Sequence, residues 1–363
     1  MTDSSNRYTL DRISPTSLSD AKAAWLSLED GPDMTSYQRF DWAVIANERV
    51  LHERASRLTV RTRYYMVSRN GTPVLIAPIR VHLTPLSPGH SRGIHLAGRN
   101  GPADYLNFVY QDFDPLAARV ALDSATEDFG VTQVCLERLL ADTSAFRWFQ
   151  ELKYSTLRLH EAMILRLPES PEGYAKSLSK STRQNIRTGW NRAEKDGVDI
   201  RVETLQQVTP VEANQLSALK RRREITRSAR SITRRGQIQS AVRKAYFATL
   251  FLNYDEPRHA MTRANDPVVI RISANGQLAA FAFGLTDQKG GVSTLRLIQV
   301  AIDEEFARYS PGFIGLHKFI SDEISSGKPR WDGIDFTRGN ERYKTQLGAE
   351  PHHYGDLSFQ WPA

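Results

Sequence analysis

The chain has 363 residues, 40% apolar and 25% charged, with 48 Lys+Arg against 41 Asp+Glu for a formal charge of +7. That length exceeds one ordinary core and suits two domains, and the composition is that of a folded chain rather than a disordered one. No apolar run approaches the roughly 18–20 residues of a membrane span, the start MTDSSNRYTLDRISP is not laid out like a secretory leader, and the single cysteine, Cys135, excludes an internal disulfide. A soluble, cytoplasmic protein is expected.

Charge is uneven. Residues 1–165 hold 18 basic and 19 acidic side chains, and residues 166–363 hold 30 and 22. Between 174 and 244 there are 17 basic and 6 acidic side chains, or +11. Such a stretch suits an anionic partner, either phosphate, nucleotide or nucleic acid, and equally suits helices with solvated basic faces.

In chain order, the first clear element is a hairpin. Val67–Ile79, VSRNGTPVLIAPI, reads as strand, Asn-Gly, strand, because that dipeptide accepts the positive φ angles of a type I′ turn. Gly89-His90-Ser91-Arg92-Gly93 fits the G-x-S-x-G string of hydrolases but follows a proline-containing loop and runs into the strand-like IHLAG, the wrong context for that motif. Cys135 lies in VTQVCLERL, a predicted strand, and reads as a buried inert thiol. LPESPE near Leu167–Glu172 interrupts the pattern and marks the boundary.

Beyond it, Tyr174–Lys195 has helical spacing, with Tyr174, Leu178, Thr182, Ile186, Trp190 and Ala193 on one face and Lys176, Lys180, Arg183 and Arg187 on another. A strand at Val198–Glu203 comes next, then a helix through Leu219, a basic loop over Lys220–Arg235 and a second helix near Gln237–Leu252. Strands are expected at Pro267–Ser273, Gln277–Thr286 and Val292–Ile302. Ile272–Gly284, ISANGQLAAFAFG, repeats the pattern of the first hairpin, with Ser273, Asn275 and Gly276 matching Ser68, Asn70 and Gly71. A duplicated α/β unit is the expectation.

Two later segments carry chemistry. In Arg308–Leu316, RYSPGFIGL, Ser310 suits an N-cap and Pro311 the first position of a helix over Pro311–Ser325. Free amides there, with Gly312 and Gly315, would admit an anion, although a well-capped structural helix has the same signature. In Gly333–Lys344, GIDFTRGNERYK, a strand ends in an acid, turns at Arg-Gly and enters a short helix over Asn340–Leu347. Asp335 or Glu341 can orient or deprotonate a nucleophile, Tyr343 can return a proton and Lys344 can hold an anion; Tyr343, four residues before Leu347, equally suits the core. A final strand is expected near Tyr354–Gln360; the adjacent His352 and His353 would point to opposite faces, which argues against a shared metal, so no metal is expected.

Taken in order, YAKSLSKSTRQNIRTGWNRAEKDG, NGQLAAFAFG, YSPGFIGLHKFI and GIDFTRGNERYKTQLG, with SYQRFDW and GRNGPADYLNFV before them, resemble the GNAT-type acyltransferases associated with cellulose and exopolysaccharide biosynthesis, the CelD-like group. That group is similar in turn to the Fem transferases of peptidoglycan cross-bridges. The resemblance implies an α/β (α+β) fold of two tandem GNAT-like domains, each a mixed, mostly antiparallel twisted sheet flanked by helices. A degenerate domain would span 1–168 and the acyltransferase domain 169–363.

It also implies direct transfer from acyl-CoA to an amine or hydroxyl of a cell-envelope or exopolysaccharide precursor, with no metal. Asp335 or Glu341 would serve as base or orienter, Tyr343 as acid, with Lys344 beside them. Leu297, Gln299 and Val300 would meet the thioester, and Ser310, Gly312, Phe313 and Gly315 the pyrophosphate, although the usual Q/R-x-x-G-x-G/A string is absent. Arg183, Arg187, Arg221, Arg222, Arg223, Arg227 and Arg338 would hold an anionic acceptor. The rival readings are Fem-like transfer from aminoacyl-tRNA and a non-catalytic nucleic-acid-binding protein on a decayed fold.

Overall fold

The computed structural model describes residues 8–52, 60–82, 93–98, 102–152, 156–230 and 255–362, with the backbone alone for His82 and 227–230. Gly89–Arg92, the end of the basic stretch at Ser231–Arg235, and the expected helix near Gln237–Leu252 lie outside the described residues. The chain divides into two compact units, Met1–Glu161 with His353–Ala363, and Ala162–His352.

Unit 1 contains β1 (Tyr8–Ile13), α1 (Lys22–Leu26), α2 (Phe40–His52), β2 (Val60–Arg69), β3 (Thr72–His82), β4 (Gly93–Leu96), α3 (Pro115–Phe129), β5 (Gln133–Leu140) and α4 (Ser144–Glu151). Strands β1 to β4 pair antiparallel in chain order, and β4 meets β5 in parallel at Ile94↔Val134. Helix α3 starts on Asp114, whose carboxylate accepts from the amides of Leu116 and Ala117, and ends at Gly130 in the left-handed region. Cys135 is half-buried rather than fully buried, because alternate residues of β5 face the core.

Unit 2 repeats this order. After β6 (Thr156–Arg166), which starts in unit 1, come α5 (Pro171–Ser177), α6 (Lys180–Lys195), β7 (Ile200–Leu205), α7 (Pro210–Arg230) and α8 (Glu256–Arg263). Next are β8 (Pro267–Ala274), β9 (Gln277–Lys289), β10 (Val292–Ile302), α9 (Pro311–Ser325), β11 (Gly333–Arg338) and α10 (Arg342–Gln346). Strands β7 to β10 are antiparallel neighbours, and β10 meets β11 in parallel.

Both hairpins turn where the sequence places them. Asn70 and Gly71 have φ of 54° and 79°, and Asn275 and Gly276 have 50° and 78°. The repetition extends to register. Val67↔Leu75, Ser68↔Pro73 and Arg69↔Thr72 correspond to Ile272↔Ala280, Ser273↔Leu278 and Ala274↔Gln277, so each hairpin carries its bulge at the same place.

The linear division at residue 168 differs from the observed units, because each unit takes in a strand from the other half of the sequence. In unit 1, Tyr354–Gln360 of β12 (Glu350–Gln360) pairs antiparallel with β5. In unit 2, Ala162–Arg166 of β6 pairs antiparallel with β11. The expected single helix over Tyr174–Lys195 is two. Leu178 is extended, and the Ser179 hydroxyl accepts from the Thr182 amide to start α6. The expected basic loop is also helix as far as Arg230, since arginine and lysine propagate a helix well.

The main core of unit 2 joins Leu295, Leu297 and Ala282 of the sheet to Leu316, Phe319 and Ile320 of α9, with Tyr174, Ile186, Ile334 and Phe336. A cluster of Ile272, Ala274, Ala279, Ala280, Ile314 and Tyr309 packs beside α6. Full burial of each large aliphatic or aromatic side chain contributes about 1.5–3 kcal/mol. This core fixes α9 against the sheet and so sets the geometry at the ends of β10 and β11.

Candidate active site

Strands β10 and β11 pair through Thr294↔Gly333, Leu295↔Ile334 and Arg296↔Asp335, and their ladder stops there. Immediately beyond, Ile298 drops out of the β9–β10 register between Leu297 and Gln299. Opposite, the β11–β6 register shifts between Asp335 and Arg338, and Thr337 sits at φ 57°. A bulge leaves one residue out of the ladder and bends its strand. Two parallel strands therefore lose each other at the point where one of them bulges, which opens a notch between them. The Thr337 hydroxyl donates to the Leu297 carbonyl at 2.9 Å and bridges the notch at its base.

The expected thioester contacts fall on this feature. Leu297 is buried in the core, Val300 packs against the same core, and Gln299 is half-buried with a side-chain carbonyl oxygen that has no hydrogen-bond partner among the described residues. Arg223 on α7 donates to the Val300 carbonyl at 2.7 Å, just past the bulge. Arg223 thus ties α7 to β10, whereas the sequence pattern suggested that it would hold an anionic acceptor.

Tyr343 on α10 is half-buried and packs edge-on against Phe336 at 6.2 Å. Burial pushes its hydroxyl pKa upward, the Glu341 carboxylate adds to the rise, and the Arg223 guanidinium opposes it. The hydroxyl therefore stays protonated at neutral pH within the fields of both Glu341 and Arg223. Two segments meet here: α7 brings Arg223, and α10 with its cap brings Tyr343 and Glu341.

Asp335 takes another part. It is 1% exposed, ion-paired with Arg296, bonded by the Thr337 amide at 2.7 Å and 3.5 Å from His352 Nε2. Arg296 also grips Asp287 at 2.6 Å. Burial alone would raise the Asp335 carboxyl, but Arg296 and His352 outweigh it and hold the pKa below the usual range. A carboxylate so buried and so weakly basic is poorly suited to take a proton from an acceptor.

Lys344 is likewise committed. Its buried ammonium donates to the carbonyls of Thr337, Arg338 and Gly339 at 3.3, 2.5 and 3.0 Å and pairs with Glu341 at 2.8 Å. An ammonium has three donors, and three carbonyls take them. Lys344 holds the turn after β11 closed rather than receiving an anion. The segment Gly333–Lys344 pointed to this residue, but nothing in its pattern signalled this cage.

The start of α9 departs furthest from expectation. Ser310 lies in the left-handed region, at φ 53° and ψ 48°, and its side chain makes no capping bond. Pro311 has no amide hydrogen, and the amides of Phe313 and Ile314 both donate to the Ser310 carbonyl. Among the described residues, that leaves the Gly312 amide. Gly312 and Gly315 face the sheet, since a Cβ on them would stand 2.8 Å from Ile302 and 2.6 Å from Ile272. Their smallness lets α9 lie close on β8 and β10, and Phe313 packs into the same core.

The remaining arginines divide. Arg183 donates to the Ala175 and Leu178 carbonyls and closes α5. Arg222 pairs with Asp303 at 3.1 Å. Arg187 and Arg221 are exposed on α6 and α7, and Arg338 is half-buried at the end of β11. The Arg227 side chain lies outside the described residues. Among the described residues no group of His, Cys, Asp and Glu is placed to hold a metal ion, and no helix is long and apolar enough to cross a membrane.

Residues 180–345 match the family described as the acetyltransferase (GNAT) domain. No curated protein matches the sequence. Among solved structures, a conserved protein of unknown function from Bacteroides thetaiotaomicron VPI-5482 superposes with a TM-score of 0.50 at 12% identity, over 97% of this chain and 99% of that one. FemX gives 0.45 at 13% identity, covering 97% of each chain. A tandem GNAT protein from the clavulanic acid biosynthesis pathway gives 0.44 at 11%, covering 98% and 99%. The stretch 180–345, which forms most of unit 2, is thus similar to a GNAT acetyltransferase domain.

Proposed function

We propose that unit 2 transfers an acyl group from a carrier to an amine or hydroxyl acceptor at the notch between β10 and β11. The observation that supports this most is the coincidence of the Ile298 bulge with the end of the β10–β11 ladder. Backbone groups released from the ladder at the bulge would receive the acyl carbonyl and stabilise its developing oxyanion. Glu341 takes the proton from the attacking nucleophile, and Tyr343, kept protonated by burial and by Glu341, returns one to the leaving atom. The acceptor attacks the acyl carbon, the carbon–sulfur or carbon–oxygen bond to the carrier breaks, and the departing anion takes the tyrosine proton. Arg223 fixes the far side of the notch through the Val300 carbonyl.

Acyl-CoA is the donor that the sequence resemblance implies, and a phosphate-bearing cell-envelope or exopolysaccharide precursor is its acceptor. The start of α9 does not fit a CoA pyrophosphate, because it offers a single amide and its glycines are filled by Ile302 and Ile272. The same observation favours a second reading, transfer from an aminoacyl ester such as aminoacyl-tRNA, whose leaving group carries no pyrophosphate.

The test is carrier release from acetyl-CoA, from acetyl-pantetheine and from aminoacyl-tRNA, with amine-bearing and hydroxyl-bearing glycan precursors as acceptors. Transfer from at least one carrier is expected, with Tyr343→Phe lowering kcat at least tenfold while the unfolding midpoint holds. No transfer from any of the three, or an unchanged kcat in Tyr343→Phe, would remove the basis of the reading.

A further inference from the structure

We infer that unit 2 selects its acyl donor at the acyl-bearing end and makes no grip on a pyrophosphate at the start of α9. This rests on the reading of unit 2 as an acyltransferase. A helix start binds a phosphate when two or three adjacent amides point outward, small residues let the anion approach them, and the surrounding charge is positive or neutral. Each condition fails here for a separate structural reason.

The amides are used internally. Ser310 turns into the left-handed region, so its carbonyl takes both the Phe313 amide at 3.0 Å and the Ile314 amide at 3.1 Å. Proline at the next position removes a third donor. The approach is blocked as well. Gly312 faces Ile302, Gly315 faces Ile272, and Gly189 of α6 lies so close that a Cβ there would stand 2.8 Å from Ile314 and 3.0 Å from the Tyr309 carbonyl. Helix α6 therefore covers the helix start, and Arg192 adds a contact to the Arg308 carbonyl at 3.3 Å.

Charge completes the case. The 3-10 turn Glu304–Tyr309 between β10 and α9 brings Glu304 and Glu305, preceded by Asp303. Of the nearby cations, Arg222 is paired with Asp303 at 3.1 Å and Arg308 with Asp196 at 2.7 Å, while Arg192 donates to the Arg308 carbonyl. An incoming diphosphate would meet two glutamates and one amide, with Arg192 already bonded to the backbone carbonyl of Arg308. What the donor would find is the bulge at Ile298 and the Gln299 oxygen, which has no hydrogen-bond partner among the described residues. The ligand class is an ester or thioester whose carrier needs no adenosine diphosphate.

CoA and pantetheine, titrated calorimetrically into the full chain, test this. They share the thiol-bearing arm and differ in the nucleotide. The expected result is dissociation constants within tenfold of each other, or no measurable binding of either. CoA binding more than tenfold tighter than pantetheine, a difference above about 1.4 kcal/mol, would overturn the inference. The doubly substituted Glu304→Gln/Glu305→Gln chain reports on the place: its CoA affinity should stay within twofold of the parent, and a gain of fivefold or more would put phosphates at α9 after all. Failure of the function itself reads differently, as absence of transfer from acetyl-CoA, acetyl-pantetheine and aminoacyl-tRNA alike.

Discussion

The hairpins of the two units have the same register, the same bulge and the same Asn-Gly turn, yet the strands after them differ. In unit 1, β4 spans the four residues Gly93–Leu96 and touches β5 at the single pair Ile94↔Val134 among the described residues. In unit 2, β10 runs for eleven residues, pairs with β11 over three, and then bulges where that pairing ends. The charge clusters differ in the same sense. Asp128 in unit 1 collects Arg12, Arg63 and the Tyr65 hydroxyl at the surface. Arg296 in unit 2 joins Asp287 and Asp335 in the interior. The shared hairpin is scaffold; the bulge in the strand after it and the buried ionic tie beside it set the candidate site apart.

The comparison breaks most visibly if the exchanged strands are removed. A chain ending at His352 lacks Leu357, Phe359 and Trp361, which are buried at 1%, 4% and 2% exposure, and leaves the edge of β5 bare. Each such deletion in a core costs about 2–5 kcal/mol, so three together are comparable to the whole stability of an ordinary domain. Unit 1 should lose its cooperative unfolding transition, monitored by near-UV circular dichroism. Retention of that transition would show that β12 is dispensable to unit 1 and that the two units are sequentially built.

Removing a charge separates the clusters next. Arg296→Met strands two buried carboxylates and should cost about 3–5 kcal/mol. Arg12→Met, at a side chain 41% exposed, should cost less than about 1 kcal/mol. Urea denaturation of the two variants measures the contrast, and equal losses would erase the distinction drawn between them.

Titration gives the smallest effect. For both Asp335 and Asp128, burial raises the carboxyl but the bonded partners outweigh it and leave the pKa below 3.8. The folded state therefore holds the proton less tightly than the unfolded chain. The stabilisation is complete above about pH 3.8 and fades as pH falls through the lower folded value. Asp335→Asn and Asp128→Asn should each flatten the decline of stability below pH 4. A slope there unchanged in both variants would contradict the assignment.

Much of this was legible in the sequence, and the exceptions have physical causes. The Asn-Gly pairs marked both hairpins, and apolar spacing marked the helix Pro311–Ser325, because backbone φ and burial period are local properties. Strand exchange is not local: β12 reads as an ordinary strand, and nothing in its residues or in those of β6 says which unit takes them. Ser310 looked like an N-cap because residue type does not reveal that its φ is positive. Gly312 and Gly315 suggested an anion for the same want of a neighbour, since the isoleucines that fill them lie on other strands. Asp335 and Lys344 looked reactive, but their partners sit on β10 and in the turn that Lys344 closes. Arg221–Arg223 read as a loop by charge, whereas helix propensity carries α7 through them.

Amide chemical shifts of the 15N-labelled full chain, recorded while acetyl-pantetheine is added, test the central claim most directly. The account predicts the largest changes at Ile298, Gln299 and Val300, then at Tyr343, with Gly93–Leu96 of unit 1 unmoved. Changes centred on unit 1 or on Gly312–Ile314, or a spectrum that does not move at all, would contradict it.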